Sequence, residues 1–192
     1  MLLRGYRKIS CVVLLAAVQF VSAPVAFSAE AELQPEQINN AIEQAKKWLI
    51  RQQSPNGTWK SAMRTDETVV GATALVVLAL ANAGVDADEP AMKKALRWLR
   101  EQTSTDTYSV SLQTQALAMV SPKQDLAILE RNTRWLEDRQ SNGPGVTGGW
   151  SYGSNRSGAD NSNSQFAILG LHEAQRAGVR VNPNVWRLSQ KY

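Results

Sequence analysis

Three stretches of this chain open on one phrase: WLIRQQ from Trp48, WLREQ from Trp98 and WLEDRQ from Trp135. Those tryptophans are spaced by 50 and 37 residues, and another, Trp186, follows 51 residues later. Self-similarity at such a period marks stacked supersecondary units, none of which buries its apolar face alone. The chain is therefore expected to be a helical repeat array. With 43% apolar and 20% charged residues among 192, it has enough apolar material for one domain with a core, and wholesale disorder is excluded.

Two kinds of helical segment alternate. In the first, apolar side chains recur on one face: Ile38, Ile42, Ala45, Trp48 and Leu49; Met92, Ala95, Leu96 and Leu99; Ile128, Leu129, Trp135 and Leu136. Lys46, Lys93, Arg97, Glu130 and Arg134 take the opposite faces, so these helices have one wet side. The second kind is apolar around most of its circumference, as in VVGATALVVLALANAG at 69–84 and the second halves of SLQTQALAMV and SQFAILGL. Such helices need cover from several directions, which predicts a two-layer array with the second kind inside.

The punctuation fits that order. Thr65-Asp66-Glu67-Thr68 and Ser162-Asn163-Ser164-Gln165 offer caps for inner helices, the latter as a capping box. Gly84 and Gly178, each in an Ala-Gly-Val context, are expected to end inner helices. Glu89-Pro90 and Asn182-Pro183 are expected to open outer ones. Between outer and inner helices lie Gly-Trp loops: Leu49 leads to Gln53, Gly57 and Trp59, and Leu136 leads to Gln140, Gly148 and Trp150. There a buried Gln is expected to bind loop backbone, Gly to allow close approach, and the indole N–H to reach a carbonyl.

The amino terminus reads as an export leader: basic MLLRGYRK, apolar ISCVVLLAAVQFV, then small residues up to Ala29. Residues 1–29 are thus expected to be a signal peptide and 30–192 the mature domain, exported to the periplasm or beyond. No stable membrane span is expected after cleavage, the apolar run being too short. Without Arg4, Arg7 and Lys8 the net charge of +4 falls to 18 basic against 17 acidic residues, so nothing favours nucleic acid. Cys11, the one cysteine, lies in the leader, which excludes disulfides, a thiolate nucleophile and cysteine metal ligands from the mature chain.

KKWLIRQQSPNGTW follows the QW motif of the squalene-hopene cyclase and prenyltransferase superfamily, and RNTRWLEDRQSNGPGVTGGW resembles a looser copy with an extended loop. In this comparison Trp48, Gln53, Gly57, Trp59, Trp135, Gln140, Gly148 and Trp150 are the structural motif residues. The resemblance covers roughly residues 34–192 and implies an all-α fold, an α/α toroid of alternating inner and outer helices. The chain looks most like the secreted bacterial prenyltransferase and squalene-oxidase repeat proteins. Catalysis does not follow from the fold. The cyclases of this family protonate an alkene from a DxDD motif, which is absent; TDE at 65–67 and GAD at 158–160 do not replace it. The protein prenyltransferases hold zinc with Asp, Cys and His, whereas the only His here is His172 and the mature chain has no Cys. Complement-type thioester domains share the toroid but need a Cys-Gln pair. No catalytic residue, metal or cofactor is therefore assigned.

Parallel inner helices would bring their N-termini to one mouth. That gathers Asp66, Glu67, Asp106, Tyr108, Ser109, Asp160, Asn161 and Asn163, with Gln113, Gln115 and Gln165 deeper. Two readings compete: acids that cap amides and complement helix dipoles, or a polar funnel for a sugar, peptide or head group. Trp150 and Tyr152, on a long glycine-rich loop, are candidates for an aromatic stacking surface beside it.

About seven helices are legible, fewer than the family's closed ring, and the chain is read as an incomplete array whose last inner face leaves Phe166, Ile168, Leu169 and Leu171 partly uncovered. The functional expectation is an exported binding or scaffolding protein, with an unidentified polar ligand or protein partner and self-association through the open end. The alternatives are an isoprenoid cyclase or transferase completed by further repeats, and a polysaccharide-processing enzyme.

Overall fold

The computed structural model describes residues 34–60, 66–152 and 158–192; the expected leader lies outside them. Seven helices follow in order among the described residues: α1 (Pro35–Arg51), α2 (Asp66–Asn82), α3 (Pro90–Arg100), α4 (Thr107–Val120), α5 (Leu126–Arg139), α6 (Asn161–Arg176) and α7 (Pro183–Ser189). The unit is all-α, as the phrase repeat implied. The helices that are apolar all round, α2 and α4, pack side by side, and α6 lies against the other flank of α4. The amphipathic α3, α5 and α7 cover this layer from outside.

Two apolar clusters share the interior. The first joins Val77 and Leu80 of α2, Met92 and Leu99 of α3, Leu117 of α4 and Leu129 of α5. The second joins Val110 of α4, Leu136, Trp150, Leu171 of α6 and Val185 of α7. Each fully buried Leu adds about 1.5–3 kcal/mol relative to an exposed one.

Inner helices end where the glycines stand. Gly84 (φ 79°) and Gly178 (φ 101°) occupy the left-handed region. Val85 N–H donates to Leu80 and Gly84 N–H to Ala81, while Val179 and Gly178 repeat the pattern on Ala174 and Gln175. These are Schellman ends that satisfy orphan carbonyls. Pro90 and Pro183 open α3 and α7 as expected.

The two Gly-Trp corners are built alike. Trp59 Nε1 donates to Leu49 O at 2.8 Å and Trp150 Nε1 to Leu136 O at 2.7 Å, so each indole satisfies a carbonyl of the outer helix just ended. Gln53 Nε2 reaches Gly57 O and Ala91 O, and Gln140 Nε2 reaches Gly148 O and Val185 O, tying each loop to the next outer helix. The tryptophan amides donate to Thr73 Oγ1 and Ser164 Oγ of the following inner helix. One corner thus clips together three helices.

Three expectations are corrected. The N-cap of α6 is Asp160, not Ser162: the Asp160 carboxylate accepts Asn163 N–H, and Ser162 Oγ donates to that same carboxylate. The amphipathic face of α1 is not buried: Ile38, Ile42 and Trp48 are 45%, 41% and 56% exposed, and only Leu49 and Ile50 meet the first cluster. No described inner helix lies behind the start of α1 to cover that face. On α6 Leu169 is exposed and Phe166 and Ile168 are half-buried, whereas Leu171, also expected to be partly uncovered, is fully buried in the second cluster with Val181 and Val185.

Two glycine substitutions separate strain from collision. A Cβ at Gly84 meets nothing within 4 Å, so Gly84→Ala carries only the positive-φ penalty, about 1 kcal/mol. A Cβ at Gly148 (φ 98°) falls 2.0 Å from Leu188 O, so Gly148→Ala must also displace α7. Urea unfolding is expected to show a clearly larger loss for Gly148→Ala than for Gly84→Ala.

Candidate functional site

The parallel inner helices do bring their N-termini together. A groove of about 450 Å³ opens there, lined by Thr68, Gly71, Ala72 and Leu75 of α2, Asp106, Tyr108, Ser109 and Leu112 at the head of α4, and Tyr152. Its floor exists because Gly71 lacks a side chain: a Cβ there would sit 3.0 Å from Ser109 Oγ, so α2 and α4 approach closely.

Tyr152 reaches the groove through the second corner. Trp150 is fixed by its indole and by exchange with Asp160, whose amide donates to Trp150 O at 2.9 Å. Thr107 Oγ1 then holds Ser151 O at 2.6 Å. The Tyr152 ring, 62% exposed, consequently stands 5.9 Å from that of Tyr108, which in turn lies 4.7 Å from Phe166. Trp150 itself is fully buried and serves as a clip, while Tyr152 presents its ring to solvent.

The polar residues expected at this mouth divide into separate groups. Asp106 caps α4, its Oδ2 accepting Ser109 N–H at 2.9 Å. The Asp160 carboxylate is more fully engaged, by the Asn163 amide at 2.8 Å, the Ser162 hydroxyl at 2.7 Å and Asn163 Nδ2 at 2.6 Å. Asn163 is buried behind it, and Asn161 and Gln165 are exposed on α6 away from the groove lining. Asp66 opens α2, and its side chain lies outside the described residues.

Gln113 is not in the funnel. It is fully buried toward α3 and α5, where Nε2 donates to Leu99 O at 2.7 Å and to Gln102 O. This is the carbonyl position that an indole takes at the other two corners. The WLREQ stretch has no Gly-Trp loop after it, so the α4 amide caps the Leu99 carbonyl instead. Asn132 Nδ2 and Arg131 NH2 donate to Gln113 Oε1, and Arg131 also reaches Gln102 O. Burial pushes the Arg131 guanidinium below its usual pKa.

A larger cavity, about 500 Å³, lies on the outer side beside Lys93, Arg97, Arg100 and Ser121. Its charges are mostly spent: Lys93 pairs with Asp88, and Arg100 grips the buried Asp125 through Nε at 2.7 Å. His172 is exposed, within 3.3 Å of Glu173 Oε1, and no described group of three His, Cys, Asp or Glu residues is placed to hold a metal. Among the described residues no helix is long and apolar enough to cross a membrane.

The sequence reading missed Gly71, Ala72, Leu75 and Leu112. In a helix apolar on all sides, periodicity cannot tell a core leucine from one lining a groove.

Fold and site together define a two-layer, toroid-like array of inner and outer helices with an apolar groove at its N-terminal mouth. Residues 30–121, just under half of the chain, match the family model of the squalene-hopene cyclase N-terminal domain, a likeness that agrees with the all-α, toroid-like array. No curated protein and no solved structure matches it.

Asp160 gives a pH signature. Burial raises its pKa, but the hydrogen bonds from Asn163 and Ser162 outweigh that, and the net direction is down. Its stabilisation is complete above the unfolded-state pKa and is lost as pH falls through the lower folded value. Thermal unfolding of Asp160→Asn is therefore expected to be less acid-sensitive than wild type below the usual aspartate range. Asp160→Ala is expected to cost about 1 kcal/mol at neutral pH.

Proposed function

We propose that this chain is a binding protein built on a squalene-hopene cyclase-like array, holding an apolar chain of the polyprene type in the groove between α2 and α4. The observation that carries the reading is the lining itself. Gly71, Ala72, Leu75 and Leu112 form an apolar trough walled by Tyr108 and Tyr152, and Leu75 is 54% exposed. Large apolar side chains left open in a concave site are the usual mark of a ligand surface. The volume lies within the range of small-molecule sites, roughly 300–1,000 Å³.

The lining favours such a chain over the sugar or peptide that the polar residues suggested. Asp160 and Asn163 are turned on each other and Gln113 on the core, which leaves little free hydrogen-bonding capacity facing the trough. A binding or scaffolding role, not catalysis, is supported by the chemistry of the lining: among its described residues it holds one carboxylate, a helix cap, and no adjacent base or nucleophile pair. The leader supports a site of action in the periplasm or outside the cell.

Displacement of the neutral fluorophore N-phenyl-1-naphthylamine by farnesol tests the reading. Farnesol is expected to compete, and Leu75→Gln, at an exposed position that keeps helix propensity, to weaken it by about tenfold through lost apolar contact. Circular dichroism should be unchanged. Farnesol that fails to compete, or that competes equally with the Gln variant, rejects the proposal.

A further inference from the structure

We infer that the ligand of this groove carries a cationic head, an ammonium at one end of its apolar chain. The inference rests on the binding role proposed above and adds the head-group chemistry. Asp106 is the one charged residue among the described residues lining the groove. Its Oδ2 is occupied by the Ser109 amide at 2.9 Å, while no donor among the described residues meets Oδ1. The carboxylate is thus half used by its cap, with one oxygen left to face a ligand.

Beside it stand Tyr108 and Tyr152, rings 5.9 Å apart and tilted by 35°, whose faces carry negative quadrupole charge. An ammonium between a carboxylate and two phenol rings gains from both, by ion pairing and by cation–π attraction. An anionic head would meet repulsion from Asp106, and a neutral one would forgo both the ion pair with its carboxylate and the cation–π attraction of the rings. The positive end of the α4 dipole, roughly half a charge, is already overbalanced by the full charge of the cap.

The experiment compares decyltrimethylammonium, decanol and decyl sulfate, each below its aggregation threshold, as competitors of N-phenyl-1-naphthylamine. The ammonium is expected to bind about tenfold more tightly than decanol at low salt, and decyl sulfate more weakly than either. That preference should shrink as NaCl is raised. Asp106→Asn keeps a capping side chain and is expected to bring the affinities for ammonium and alcohol together. Tyr152→Leu, at an exposed position, should lower the preference by about threefold and guards against an Asp106 variant that fails to fold. Decanol binding as tightly as the ammonium, or an unchanged preference in both variants, overturns the inference while the apolar-chain reading stands. Failure of all three competitors to displace the fluorophore defeats that reading and this inference with it.

Discussion

The fold depends on what happens to a carbonyl at the end of an outer helix. The last carbonyls of any helix are short of partners within it, and here those of Leu49 and Leu136 lie at inward-turning corners, part-buried and buried respectively. Trp59 and Trp150 resolve this by driving an indole N–H onto Leu49 O and Leu136 O while burying the rest of the ring. One side chain supplies both the hydrogen bond and the apolar mass. That explains why the corner demands Trp and not Phe, and why a Gly that tolerates a close carbonyl precedes it.

The middle corner shows that the requirement lies in the carbonyl, not in the motif. Leu99 O is buried too, and the Gln113 side-chain amide from α4 reaches it where no indole is present. Satisfying Gln113 in turn recruits Asn132 and the half-buried Arg131, so a polar network replaces a ring. The Thr114 hydroxyl extends that network to Val110 O, and it therefore spans from the first apolar cluster to the second. A network of this kind is stable only when every member is paired, which makes this corner less tolerant of substitution than its neighbours.

Much of this architecture could be read directly from the residues. The WL-x-x-x-Q phrases and Gly-Trp loops located two corners, and Gly84, Gly178, Pro90 and Pro183 located helix ends, because those residue types have few other uses. Asp160 and Asp106 were legible as acids at helix starts, yet which residue is the cap depends on a single turn of backbone, and Ser162 was an equally good candidate. Gln113 could not be assigned from periodicity: on a helix buried all round, a glutamine pointing at the lumen and one pointing at the core share the same sequence signature. The groove escaped notice for the same reason, since Leu75 looks like any other leucine of α2. The bare face of α1 was hidden by a different limit: an amphipathic stripe shows that a helix has something to bury, not that a neighbour is there.

Gly71 and Gly170 have an effect beyond their own contacts. Both bring α4 close to a flanking helix, with virtual Cβ atoms 3.0 Å from Ser109 Oγ and from Ser111 Cα, while α3, α5 and α7 make no comparable contacts among themselves. Helices drawn together on one side and kept apart on the other behave like the tapered stones of an arch. The close seating of α4 against both of its inner neighbours is thus encoded by two missing methyl groups.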